Sequence, residues 1–209
     1  MTERERMREV VERLRQAYPT ARIRLRFSSP FELLIATILS AQCTDERVNQ
    51  VTEQLFRKYR TPEDYLRVPV EELERDIYPT GYYKAKARAI RGCCQALLER
   101  FGGEVPQTLE ELVSLPGVGR KTANVVLGEF FTPQGIVVDT HVARVVNRLG
   151  FVQTSNRERI EQRLMELLPR EQWVSFTHLM IAHGRAVCRA RKPQCARCVL
   201  SDLCPSRTV

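Results

Sequence analysis

The sequence predicts an all-α protein. Apolar residues recur at helical spacing in one segment after another, and several of these segments are opened by a hydroxyl residue and proline or closed by glycine. No stretch sustains the alternation of apolar and polar residues that a half-buried strand requires, and the one β-compatible triplet, Ile136-Val137-Val138, stands alone.

The elements follow in order. Residues 5–17 place Val10, Val11, Leu14 and Ala17 on one stripe among many charges, which predicts a surface helix ended by Tyr18-Pro19. Ser28-Ser29-Pro30 supplies a cap and a first-turn proline for Phe31 to Leu39. That helix is apolar nearly all round and belongs in the middle of a domain, with Ser40-Ala41-Gln42-Cys43-Thr44-Asp45 emerging at the surface behind it. Thr44 caps a helix over 45–59 whose buried face is Val48, Val51 and Leu55, and whose first-turn acids complement the helix dipole. Thr61-Pro62 and Pro69 open two short helices, the second running toward Ile77. An alanine-rich helix then spans 82–101 and stops at Gly102-Gly103. Beyond Pro133-Gln134-Gly135, the best candidate for a domain boundary, the apolar triplet leads into Asp139 to Gly150, and helices are expected over 155–168 and 171–187.

The most informative stretch is Leu115-Pro116-Gly117-Val118-Gly119-Arg120-Lys121-Thr122-Ala123-Asn124-Val125-Val126. Two glycines one residue apart make a tight turn that opens directly into a helix. The first N–H groups of that helix have no internal partners and carry the positive end of its dipole, so an anion, most simply a phosphate, docks there. A short helix precedes the turn, with Thr108 as its cap and Glu111 completing a capping box. The ensemble resembles a helix-hairpin-helix element. An ordinary glycine-rich connection is the alternative, and Lys121, two residues beyond the second glycine, argues against it.

The chain has 209 residues and a formal charge of +8, with a pI near 9.4. That length suffices for one large or two small domains, and the charge suits a polyanionic partner. The first residues lack a signal peptide's apolar core and no run approaches a membrane span, so a cytosolic protein is expected. In that reducing compartment the seven cysteines are unsuited to disulfides. Cys188, Cys195, Cys198 and Cys204, spaced C-x6-C-x2-C-x5-C, are therefore read as ligands of one inorganic centre. Four thiolates suit either tetrahedral zinc or an iron–sulfur cluster. Arg185, Arg189, Arg191, Lys192 and Arg197 surround them, either as a solvated charged loop or as phosphate contacts held in place by the centre. Cys43, Cys93 and Cys94 are expected in the core.

Lys121 and Asp139 are the candidate catalytic pair. A lysine at a phosphate-binding hairpin can attack a sugar carbon and form a Schiff base, or it can simply contact phosphate. With an ordinary pKa near 10.4, only about one lysine in a few thousand is neutral at pH 7, so a nucleophilic lysine must be helped to lose its proton. Asp139 is suited to accept a proton or to stabilise positive charge developing on the sugar, or it merely caps the helix ahead of Val142.

Taken together, Leu115 to Val125, Val138-Asp139-Thr140-His141-Val142, the four-cysteine tail, Phe27 to Ala36 and Leu39-Ser40-Ala41-Gln42 resemble the endonuclease III family of DNA glycosylases and AP lyases over nearly the whole chain. The resemblance implies two helical domains flanking a DNA-binding cleft. Residues 23–133 would form a six-helix barrel carrying the hairpin near 108–127. Residues 1–22 with 134–209 would form an iron–sulfur cluster domain with its loop at 188–204. It implies Lys121 as nucleophile at the sugar C1′, Asp139 as its partner, and the four cysteines as ligands of a [4Fe-4S] cluster. Gly117, Val118, Gly119, Arg120 and His141 fall in DNA-contacting motifs. Gln42 and Tyr82 fall where the family inserts side chains into the gap left by an extruded nucleotide. Position 82 departs from the aliphatic residue common in the family; a tyrosine there stacks on an exposed base or faces the core.

The implied activity is base-excision repair of double-stranded DNA, removing oxidised pyrimidines and nicking the abasic site by β-elimination, in a monomeric bacterial protein at the nucleoid. Two alternatives stand beside it: a monofunctional mismatch adenine glycosylase, which lacks a lysine at position 121 and usually carries an extra C-terminal domain, and a non-enzymatic DNA-binding module whose cysteines hold zinc.

Overall fold

The computed structural model describes residues 1–208, and among them it contains helices and turns but no strand. The helices, in chain order, are α1 Glu3–Ala17, α2 Pro30–Leu39, α3 Asp45–Lys58, α4 Pro62–Arg67, α5 Val70–Ile77, α6 Tyr83–Phe101, α7 Leu109–Val113, α8 Arg120–Phe130, α9 Thr140–Arg148, α10 Arg157–Leu167 and α11 Trp173–Ala186. The chain divides into two compact units, one continuous over Arg24–Gln134 and the other built from Met1–Ile23 and Gly135–Val209.

In the continuous unit α2 is the central element. Ser29 caps it by accepting from the Glu32 N–H at 3.1 Å, and Pro30 takes the first turn, where its missing N–H costs nothing. Every residue from Leu33 to Leu39 is buried, because α3, α6 and α8 pack around it. The long helix α6 also carries α4 and α5. Arg91 of α6 donates to the carbonyls of Tyr65 and Val68 at 2.8 and 2.7 Å, satisfying the C-terminal end of α4.

The split unit packs α1 and α9 against α11, with α10 beside α1. The stripe of α1 is Met7, Val10, Val11 and Leu14, all at most 2% exposed, set against Val142, Val145, Val146, Ile160, Leu164, Phe176 and Met180. The lone triplet is an extended lead into α9. Ile136 and Val138 enter this core, and the Val137 carbonyl accepts from the Thr177 hydroxyl at 3.2 Å.

Two local expectations need correction. At α7 the Thr108 hydroxyl accepts from the Glu111 N–H, but the Glu111 carboxylate turns to the Thr108 hydroxyl and not to its N–H, so the capping box is half made. Cys93 and Cys94 are fully buried, whereas Cys43 is half-buried, since its loop leaves the core at Ser40. A complete box does form at Thr2 and Glu5, where α1 begins.

Tyr65 is fully buried between Tyr59 and Phe31, and its hydroxyl has no hydrogen-bond partner among the described residues. An unpaired buried hydroxyl costs about 1–3 kcal/mol of desolvation. Tyr65→Phe is expected to raise stability by about 1 kcal/mol in thermal unfolding, whereas a loss of that size would show that the hydroxyl is satisfied in solution.

Candidate functional site

The hairpin between α7 and α8 is seated on α6 by small residues. Gly117 lies at φ 75°, and a β-carbon there would stand 2.6 Å from the Ala89 Cβ. A β-carbon on Gly92 would meet Pro116 at 3.1 Å. Val118, 5% exposed, anchors the turn from inside. Gly119 differs. It is the N-cap of α8 in extended conformation, a β-carbon added to it would have nothing within 4 Å, and it offers no side-chain cap. Gly117 is a glycine because the protein fills its space; the space at Gly119 faces outward. The start of α8 thus lacks a side-chain cap, with Arg120 and Lys121 exposed in the first turn. No hydrogen bond or ion pair engages Lys121 among the described residues.

Asp139 is the N-cap of α9, its Oδ1 accepting from the Val142 N–H at 2.8 Å while its carbonyl accepts from Arg157 at 2.9 Å. Its Oδ2 has no hydrogen bond among the described residues. His141 lies 3.0 Å through Nδ1 from an Arg144 nitrogen. A guanidinium only donates, so Nδ1 accepts and the remaining proton sits on Nε2. Burial pulls the His141 pKa down, Arg144 and Arg185 add to this, and Asp139 opposes it. His141 therefore presents a neutral N–H donor. Lys121 belongs to the continuous unit, and Asp139 and His141 to the split one.

Gln42 and Tyr82 share an unusual backbone. Both have left-handed φ, 51° and 49°, although neither is glycine. Both side chains are exposed, Tyr82 by 66%, so the ring faces solvent and not the core. Such strained residues persist only where surrounding structure over-determines them, and they concentrate at ligand clamps.

The four C-terminal cysteines line one cavity together with Arg148 and His183. No three His, Cys, Asp or Glu side chains among the described residues converge closely enough to hold one metal ion. Four thiols lining one cavity suit an inorganic centre held by thiolates. Burial, and then repulsion from the neighbouring cysteines, raises the thiols of Cys198 and Cys204, a penalty that a cationic iron core offsets. Donors already face the sulfurs. An Arg148 nitrogen lies 3.3 Å from Cys188 Sγ, the Leu200 N–H 3.4 Å from Cys198 Sγ, and the Thr208 hydroxyl 3.5 Å from Cys195 Sγ. His183, 1% exposed, is held neutral by burial, which takes its pKa down to about 4. It stands between the Tyr18 hydroxyl at 3.1 Å and Cys198 Sγ at 3.5 Å.

Comparison with known proteins decides the family. Residues 35–170 match the HhH-GPD superfamily base excision DNA repair protein family, and residues 188–204 match the iron–sulfur binding domain of endonuclease III. The chain is 48% identical to endonuclease III of Synechocystis sp. over 98% of its own length and 94% of that protein. The chain belongs to the endonuclease III family. Two solved structures share its fold, a non-covalent endonuclease III–DNA complex and a trapped endonuclease III–DNA covalent intermediate with an estranged adenine. Each has a TM-score of 0.93 and 48% identity, covering 99% of this chain and 97% of that one. As a member of this family the protein is a DNA glycosylase and AP lyase of base-excision repair with an iron–sulfur cluster. No helix among the described residues is long and apolar enough to cross a membrane.

Sequence reasoning missed Arg144, Arg148, Tyr18 and His183 around the cluster. Arg144 also donates to the carbonyls of Gly184 and Cys188, and Arg148 to those of Arg189 and Ala190. Arginines in an amphipathic helix carry no mark of such long-range partners.

Gly117→Ala is expected to cost about 2–4 kcal/mol in denaturant unfolding, from left-handed strain and overlap with Ala89. Gly119→Ala should change stability by under about 1 kcal/mol yet weaken DNA binding in a titration; equal stability losses would remove the distinction. Cys198→Ser should lower iron and sulfide together, without zinc taking their place, and make residues 188–204 sensitive to protease.

Proposed function

We propose that this chain removes oxidised pyrimidines from double-stranded DNA and cleaves the resulting abasic site by β-elimination, with Lys121 as nucleophile and Asp139 as its partner. The observation that carries this reading is the start of α8, where a helix without a side-chain cap, an outward-facing Gly119 and an exposed Lys121 occupy one turn. The N–H groups of that turn bind a phosphate, and Gly119 lets it come close. Lys121 Nζ, as the neutral amine, bonds to C1′ while the N-glycosidic bond breaks and the base leaves with a proton. The nitrogen of the adduct loses a proton, its lone pair then forms the C=N bond as the C1′–O4′ bond breaks, and O4′ takes up a proton, leaving a protonated imine on the opened sugar. The imine acidifies C2′; a base takes the C2′ proton as the C3′–O bond breaks and the 3′ phosphate leaves. Asp139, with Oδ1 spent on its helix cap, uses Oδ2 to accept a proton or to stabilise the charge developing on the sugar.

Arg120 and the neutral His141 contact the DNA backbone on this reading, and Gly117 and Val118 shape the turn that does so. Gln42 and Tyr82 fill the gap left by the extruded nucleotide, with the Tyr82 ring stacking on an exposed base. On this reading residues 23–133 serve as the six-helix barrel domain, and residues 1–22 with 134–209 as the cluster domain. Cys188, Cys195, Cys198 and Cys204 hold a [4Fe-4S] cluster, which when bound cross-links the loop that carries Arg189, Arg191, Lys192 and Arg197. The enzyme works as a monomer at the bacterial chromosome in the cytoplasm.

Borohydride trapping on a duplex with one thymine glycol tests the chemistry. Wild-type protein should give a covalent adduct, and Lys121→Ala should give none while still binding DNA. Asp139→Asn should slow adduct formation by about 10²-fold or more. Intact binding with no adduct on either damaged or abasic DNA would sink the lyase chemistry.

A further inference from the structure

Lys86 stands apart from the other lysines of the chain. It is 5% exposed, in the first turn of α6, and its Nζ donates to two carbonyls, Leu39 at 2.7 Å and Thr80 at 2.8 Å. No carboxylate pairs with it among the described residues. Burial lowers its pKa, with Cys43 opposing. Burying an ammonium costs several kcal/mol, whereas a methionine of similar length would fill the space without that cost. What the ammonium does, and a methionine does not, is join two carbonyls.

Those carbonyls occupy telling positions. Leu39 is the last residue of α2, and its carbonyl belongs to the negative end of that helix. The chain then turns through Ser40-Ala41-Gln42, closed by the Cys43 N–H donating to the Ser40 carbonyl at 3.2 Å, and Gln42 takes left-handed φ. Thr80 ends the single 3₁₀ turn Tyr78–Thr80, and Gly81 and Tyr82 follow, both with positive φ. The Lys86 N–H also donates to the Tyr82 carbonyl at 3.0 Å. One residue thus grips the chain just before Gln42, just before Tyr82, and at Tyr82 itself. The two exposed residues Gln42 and Tyr82, forced into left-handed backbone without being glycine, sit in the two loops that this side chain ties together.

We propose that Lys86 is the positioning residue that sets Gln42 and Tyr82 as a pair for insertion into the DNA stack. This rests on the reading of Gln42 and Tyr82 as the residues that fill the vacated gap. Lys86 touches neither base nor sugar, and its effect belongs to nucleotide extrusion and not to bond breaking. The strain at both loops is held in advance by a preformed bridge, so the pair enters DNA without first being ordered.

The test compares Lys86→Met, Lys86→Arg and the double variant Gln42→Ala/Tyr82→Ala, alone and combined with Lys86→Met. One substrate is a thymine glycol duplex with 2-aminopurine opposite the lesion, and the other is a single-stranded abasic oligonucleotide that needs no extrusion. Lys86→Met is expected to slow base removal from the duplex by about tenfold or more and to suppress the 2-aminopurine fluorescence rise, while cleavage of the single strand changes by less than about threefold. Lys86→Arg, which keeps the cation and its donors, should recover most of the rate. In the Gln42→Ala/Tyr82→Ala background, Lys86→Met should add less than about twofold, because it acts through residues already gone.

Equal slowing on both substrates, or an undiminished Lys86→Met effect in that background, would overturn the proposal. If Gln42→Ala/Tyr82→Ala removes thymine glycol at the wild-type rate, the reading of those residues fails and takes the proposal with it. If that variant is slow but Lys86→Met is not, only the role of Lys86 fails. Should Lys86→Met not fold, Lys86→Gln, which keeps a donor without the charge, carries the same comparison.

Discussion

The close approach of Gly117 to Ala89 governs the position of the hairpin, and with it the position of everything that α8 offers. Because Gly92 and Ala89 leave α6 smooth along one side, Pro116 and Gly117 can lie directly on its surface. The helix start that follows is then pointed by packing and not by a flexible loop. A larger residue at any of these places lifts the turn, and the N–H groups of Arg120 and Lys121 move with it. The placing of the α8 start therefore depends on Ala89, Gly92 and Gly117, three residues that have no chemistry of their own.

A different kind of constraint holds the cysteine loop. Between Cys188 and Cys204, all of them described residues, the only buried apolar side chain is Leu200, with Cys188, Cys198, Leu203 and Cys204 partly buried against the same core, so hydrophobic burial supplies only part of what shapes this segment. Polar contacts from helices supply the rest. Arg13 donates to the Val199 carbonyl and pairs with Asp202 at 2.6 Å, and Arg144 and Arg148 take the carbonyls of Gly184, Cys188, Arg189 and Ala190. Arg6, over the Phe151 ring at 4.1 Å, reaches the Leu203 carbonyl. These cations converge on backbone oxygens around four sulfurs. Sulfurs that carry negative charge as thiolates and a cationic surround stabilise one another.

Much of this was legible from spacing alone. The apolar run from Phe31 to Leu39 announced a central helix because no face of it could tolerate water, and the Gly-x-Gly pair announced a turn because few other residues can make one. The unlike roles of Gly117 and Gly119 were not legible, since they depend on Ala89, which is distant in sequence. Lys86 was hidden for a related reason. In an alanine-rich helix a lysine reads as solubilising, and only the burial of its ammonium against Leu39 and Thr80 separates it from Lys84. Tyr18 and His183 meet from opposite ends of the chain, and no local pattern joins them.

The split character of one unit has a consequence for how the protein is made. Helix α1 leaves the ribosome early, but the residues that cover Met7, Val10, Val11 and Leu14 lie in α9, α10 and α11, beyond the whole of the other unit. At ordinary synthesis rates that wait lasts on the order of ten seconds, long enough for the continuous unit to fold first. Throughout it, an apolar stripe is carried on a helix whose other faces are lined with Glu3, Arg4, Glu5, Arg8, Glu9, Glu12 and Arg15. The dense charge of α1 gives this helix a water-compatible surface on every side but the stripe that the distant half of its core will cover.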